Sequence, residues 1–134
     1  MIKYKVKRGE PVLFGLEEEV EITEYLLKRV LDDKIFIYAY NICMDHVHLI
    51  LKCKNSERDL IIKNFKGGST FLYKTNHKIK ETLCLWAQKY TYIEIKTKDH
   101  FIKAEKYIKN NRKKHHLPVN EKLIPLIEKM ILRI

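Results

Sequence analysis

Two histidines one residue apart in an apolar run, His46-Val47-His48-Leu49-Ile50-Leu51, are the residues of this chain best placed to do chemistry. Side chains alternate across a strand, so residues two apart face the same way. On a strand both imidazoles project together, while Val47, Leu49 and Leu51 point the other way into a core. A lone strand histidine is usually a satisfied polar group. A pair inside an apolar run needs two partners, and two neutral imidazoles on a rigid sheet need only a third ligand to hold a divalent cation.

The segment Glu105-Lys106-Tyr107-Ile108-Lys109-Asn110-Asn111-Arg112-Lys113-Lys114-His115-His116 carries the missing parts. Tyr107 and Asn111 are four apart and share one helical face. Lys103 and Lys114 share it too, whereas Phe101, Ala104 and Ile108 face a core. The Asn111 amide oxygen completes a His46, His48, Asn111 ligand set. Such mixed ligands suit magnesium or manganese, with two imidazoles leaning toward manganese. A phenol attacking a phosphodiester must lose its proton, and a cation on the scissile phosphate withdraws charge from it. Tyr107 is therefore the expected nucleophile, giving a covalent phosphotyrosine. That bond conserves the energy of the broken linkage, so a free hydroxyl can reseal the strand without a nucleotide cofactor. Asp45 is expected to cap or orient rather than ligate. His115 and His116 diverge by about 100° on a helix and are given little weight. Cys43 adds no zinc set, for want of further soft ligands.

The elements that must position these residues follow from periodicity. Ile2 to Lys7 reads as a short strand broken by Gly9-Glu10-Pro11, and Glu17 to Leu31 as a helix with acids at its start, closed by Asp32-Asp33. Ile35 to Met44 reads as a strand leading through a turn at Met44-Asp45 into the histidine strand, which together make a hairpin. Asn55-Ser56 caps a second helix into the seventies, with a break, or a close approach of backbone to another body, expected at Gly67-Gly68-Ser69. Tyr90 to Ile95 reads as a strand, Lys98 to Lys114 as a helix ended by Pro118, and Val119 to Ile134 as a last helix. Strand, helix, strand, strand, helix, strand and two further helices is an α+β, ferredoxin-like (RRM-like) plan: an antiparallel sheet with helices on one face. The histidines then face the free side or a later helix crossing it.

With 134 residues the chain is expected to be one domain, residues 1–134, and its 46% apolar content makes it globular. A formal net charge of +10 favours a polyanionic partner, nucleic acid before membrane. No run approaches the roughly 18 apolar residues of a membrane span, and the start lacks a signal-peptide apolar core. A cytoplasmic, nucleoid-associated protein is expected. Cys43, Cys53 and Cys84 suit reduced thiols better than a disulfide frame.

The basic residues fall into groups. Lys63 and Lys66 precede the glycine pair, where exposed amides and the Ser69 hydroxyl are expected to receive phosphate. Lys103, Lys106, Arg112 and Lys114, with Lys109 and Lys113, flank Tyr107. Lys5, Lys7 and Arg8 are placed at a sheet edge. Phosphate contacts of this kind give affinity that falls with salt and carries little sequence information. Trp86 is read as core rather than as a stacking platform.

Met44-Asp45-His46-Val47-His48-Leu49-Ile50-Leu51 resembles the histidine, bulky apolar, histidine (HUH) signature of the single-tyrosine HUH transposases, which include small insertion-sequence transposases and REP-associated tyrosine transposases. Phe65-Lys66-Gly67-Gly68-Ser69 resembles the Lys-Gly helix of that family, and Leu85-Trp86 with Tyr90 and Ile95 its Leu-Trp and strand segment. Tyr107-Ile108 with Asn110-Asn111 resembles its catalytic-tyrosine helix. The likeness runs from about Val12 to Pro118. It implies metal ligation by His46, His48 and Asn111, and attack by Tyr107 leaving a 5′-phosphotyrosine and a 3′-hydroxyl. It implies a single-stranded DNA substrate folded as a hairpin at an element end. Insertion-sequence members form homodimers and REP-associated ones act as monomers, so both states are implied. Arg112 departs from the Asn-Pro form of many REP-associated members. A catalytically inactive or domesticated single-stranded nucleic-acid-binding protein of the same fold is the alternative. A relaxase or replication initiator is disfavoured by the short chain.

Overall fold

The computed structural model describes residues 15–43, 46–81, 83, 85–86 and 90–131. The expected strand at Ile2 to Lys7 with Lys5, Lys7 and Arg8, the Gly9-Glu10-Pro11 break, the Met44-Asp45 turn and Cys84 lie outside the described residues.

Helix α1 spans Leu16–Asp33. Glu17, Glu18 and Glu19 crowd its first turn, where the helix dipole favours negative charge, and the Glu18 carboxylate accepts the Gly15 N–H. Ile22, Leu26, Leu27 and Val30 recur at helical spacing and are buried. Lys34 closes the helix in the left-handed region, its N–H returning to the Val30 carbonyl. The stop is thus a backbone cap one residue past the aspartates that the sequence pointed to.

Strands β1 (Phe36–Cys43) and β2 (His46–Lys52) form an antiparallel hairpin. The register pairs Ala39 with Ile50, Asn41 with His48 and Cys43 with His46 on one face. Tyr40 with Leu49 and Ile42 with Val47 occupy the other. That second face meets Ile22, Leu26, Phe65, Leu85, Trp86, Leu123 and Met130 in the main core, under α1, helix α2 (Asn55–Asn76) and, further along, helix α5 (Leu123–Ile131). The histidine face is covered by helix α3 (Lys98–Lys109) through a smaller cluster of Ala39, Ile50 and Ile108 with Phe101 and Ala104. The fold is α+β with helices on both sides of the hairpin, because α3 supplies an apolar stripe of its own.

Three elements differ from the sequence reading. Helix α2 runs unbroken through Gly67 and Gly68. Each glycine costs about 1 kcal/mol in a helix relative to alanine, and burial of Ile62, Phe65 and Ser69 carries the helix through. Gly68 also permits a close crossing, since a Cβ there would stand 3.0 Å from the Arg29 guanidinium. Residues 90–95 form no strand and join no ladder, and the sheet is two-stranded among the described residues. Side chains hold that segment instead: the Arg58 guanidinium lies 3.5 Å from the Tyr92 ring centroid, and Tyr90 bonds Arg58 and Asp59. The expected Lys98 to Lys114 helix is two pieces, α3 and the short α4 (Asn111–Lys114), jointed at Asn110. Thr97 caps α3 by accepting the His100 N–H at 3.1 Å. After α4 the chain turns at His116, whose φ of 56° precedes Pro118. Among the described residues no helix is long and apolar enough to cross a membrane.

Candidate active site

Strand β2 delivers the imidazoles of His46 and His48 to one face, with ring centroids 4.9 Å apart and planes nearly perpendicular. Both are half-buried. The His48 imidazole is pushed down to about 4, chiefly by burial and then by the charges of its neighbours His46, His115 and Lys114. At neutral pH it is therefore uncharged, with a ring lone pair free to coordinate.

Helix α3 brings Tyr107 to the same place. Its ring meets His48 edge-on at 5.9 Å between centroids, and the side chain is 47% exposed. The Lys114 ammonium sits 4.8 Å from the Tyr107 ring centroid, so the face that the spacing assigned to Tyr107 and Lys114 is shared in fact. Ile108, next to the tyrosine, is buried against Ala39 and Ile50 of the same hairpin face, which fixes the rotation of the helix. These contacts all lie within one chain.

Asn111 is fully buried beneath this site. Its Oδ1 accepts from Cys43 Sγ at 3.0 Å, and Cys43 is the cross-strand partner of His46. Its Nδ2 is a buried polar atom with no hydrogen-bond partner. A half-turn of the amide exchanges its two ends, leaving Nδ2 on the sulfur and an acceptor oxygen in the orphaned position. An unsatisfied buried amide is costly, and a cation is one partner able to meet it. Among the described residues no three His, Cys, Asp or Glu side chains gather as a metal cage. A cation here would rest on two imidazoles, one amide oxygen and oxygens from water or substrate. That donor set fits a magnesium- or manganese-sized ion and not a structural zinc.

His115, given little weight in the sequence reading, and Asn41, not singled out there, belong to the site. His115 lies 6.0 Å from His46 between ring centroids. The 100° argument holds for the pair, but only His116 turns away, and the joint at Asn110 re-aims the chain toward the hairpin. Asn41, opposite His48, donates its amide to the Ile108 carbonyl at 2.9 Å and takes the Ile42 N–H on its oxygen. A buried asparagine in a β-branched strand was the available signal.

Two residues expected to meet phosphate are committed elsewhere. Arg112 is 9% exposed. It forks onto both Glu19 carboxylate oxygens at 2.8 Å and donates to the carbonyls of Ile42 and Pro118. Asn120 also donates to Glu19. The Ser69 hydroxyl is buried, donating to the Phe65 carbonyl at 2.6 Å and accepting from the Trp86 indole at 2.7 Å. Both point inward because their helices present other faces to solvent. Lys63, Lys103, Lys106 and Lys114 are exposed as expected, and Lys66 is half-buried with its ammonium 5.5 Å over the Tyr90 ring.

The site is exposed at Tyr107 and Lys114. Neither of the cavities of about 420 and 770 Å³ is lined by His46, His48 or Tyr107.

A family model described as "Transposase IS200 like" matches residues 4–111. No curated protein and no solved structure gives a significant match.

Proposed function

The chain belongs to the IS200-like transposase family, and on that premise we propose that it nicks and rejoins single-stranded DNA with Tyr107 as the nucleophile. The observation that carries this reading is the convergence of Tyr107 on His48, at 5.9 Å, over the buried amide of Asn111.

In this reading a DNA strand lies across the exposed Tyr107 and its flanking lysines. The lysines 103, 106 and 114 hold its phosphates, and Lys114 adds positive charge where the phenol oxygen and phosphate meet. The Tyr107 oxygen attacks the phosphorus, the phenolic proton leaves to solvent, and the bond to the 3′-oxygen breaks as that oxygen takes up a proton from solvent. The products are a 5′-phosphotyrosine and a 3′-hydroxyl. Attack by another 3′-hydroxyl expels the tyrosine oxygen and reseals a strand, with no nucleotide consumed. His46, His48 and Asn111 would hold a magnesium or manganese ion. When bound, that ion would supply Lewis-acid stabilisation of charge on the scissile phosphate. The protein's own part is to fix the tyrosine: Asn41 and Ile108 hold α3 to the hairpin, and the Arg112–Glu19 pair ties α4 to α1.

The finer expectations belong to this reading: one domain over residues 1–134, a ferredoxin-like sheet and hairpin DNA as substrate, with monomer and homodimer both left open. Labelled hairpin DNA incubated with manganese and run on a denaturing gel tests it. A covalent adduct that disappears with Tyr107→Phe supports it, and an adduct that persists in that variant defeats it.

A further inference from the structure

Gly67 has no internal reason to be glycine. It lies in the middle of α2, and a Cβ there would meet nothing within 4 Å. Gly68 beside it is accounted for by Arg29. A helix-interior glycine weakens the helix, and here no packing among the described residues repays it. The residue makes sense as a notch where something from outside comes close.

The surroundings say what comes close. Leu60, Lys63, Gly67, Phe71 and Lys74 follow one another three or four residues apart, so they form one stripe along α2. Leu60 is 60% and Phe71 68% exposed. From Leu60 to Asn76 the helix carries Lys63, Lys66 and Lys74 and no carboxylate. Aromatic ring, cation and bare backbone in one row are the parts of a platform for unpaired nucleic acid: a base stacks on the ring and phosphate meets the lysines. The α2 amides are taken up by an unbroken helix, so contact is through side chains and shape and not through exposed N–H groups.

We propose that this face of α2 is a second DNA-binding surface, on which an unpaired stretch of the substrate strand passes over Gly67 and stacks a base on Phe71. It lies in the helical layer across the hairpin from α3, so it acts apart from the chemistry at Tyr107. The proposal rests on the DNA-strand reading above only for the identity of the polymer.

The test is equilibrium binding of labelled hairpin DNA in EDTA, with and without an unpaired flank, alongside thermal melting. Gly67→Gln should raise the melting temperature, because it puts a helix former in open space, yet weaken binding of the flanked hairpin about tenfold. Phe71→Ala should weaken it similarly, and neither should change binding of the unflanked hairpin. Because binding is read in EDTA with no cleavage step, failure of this surface is distinguishable from failure of the nucleophile assignment. Unchanged affinity of a stabilised Gly67→Gln protein for the flanked hairpin overturns the proposal. So does unchanged DNA affinity accompanied by a shift in sedimentation with either variant, which would assign the stripe to a second copy of the chain.

Discussion

The side-chain amide of Asn41 donates to the backbone carbonyl of Ile108 at 2.9 Å, across the hairpin position that pairs with His48. One asparagine thereby links the strand beside the imidazoles to the residue following Tyr107. Asn41→Ala leaves that buried carbonyl without its donor and should cost about 1–3 kcal/mol of stability. Adduct formation should fall further than DNA affinity, because tyrosine position is lost while the lysines remain. Urea denaturation and single-turnover adduct assays on the same preparation check both parts.

The Arg112–Glu19 pair is buried, with Nη1 reaching both carboxylate oxygens, so breaking it from one side strands a charge. Glu19→Gln should destabilise the fold by about 3–5 kcal/mol. Replacing both residues with apolar ones of similar size should cost less than the sum of the single changes. Chemical denaturation of the four proteins measures the coupling. Additive losses would mean that the two side chains act independently.

Ser69 separates a structural role from a phosphate-binding one. Its hydroxyl is the acceptor for the Trp86 indole. Ser69→Ala should lower stability by about 1–3 kcal/mol through the unsatisfied indole N–H and leave the DNA affinity of the folded protein unchanged. A weaker affinity at full folding, read by anisotropy titration, would restore the phosphate role.

The pH dependence follows from His48. Its folded value of about 4 lies below the ordinary 6.5, mainly through burial. Between those values the unfolded chain carries a proton on this imidazole that the folded chain does not. Stability from this group is therefore full above about pH 6.5 and is lost as pH falls toward 4. Urea midpoints measured across that window should rise with pH, and His48→Phe should flatten the slope. An equal slope in the variant would place the titration elsewhere.

Much of the site was legible because it obeys two periods. Period two put His46 and His48 on one face, and period 3.6 put Tyr107 with Lys114 and about 100° from Ile108. Where packing or long-range bonds decide, sequence was silent. Arg112 looks like one more lysine-rich surface cation until Glu19, 93 residues away, reaches it. The helical break at Gly67-Gly68 was expected from local cost alone, and the burial of Ile62 and Phe65 outweighs it. The strand at 90–95 has strand composition, but its tyrosines are tied to α2 through Arg58 and Asp59. His115 needed the joint at Asn110, which local pattern does not announce.

The central claim is that the phenol on α3 and the imidazoles on β2 serve one reaction on DNA. Its most direct measurement is peptide mapping of the covalent protein–DNA product formed on single-stranded hairpin DNA with manganese. The account predicts one modified peptide bearing a nucleotide on Tyr107, its yield collapsing in His46→Ala and His48→Ala while DNA binding persists. Attachment to a different residue, or full yield in the histidine variants, would contradict it.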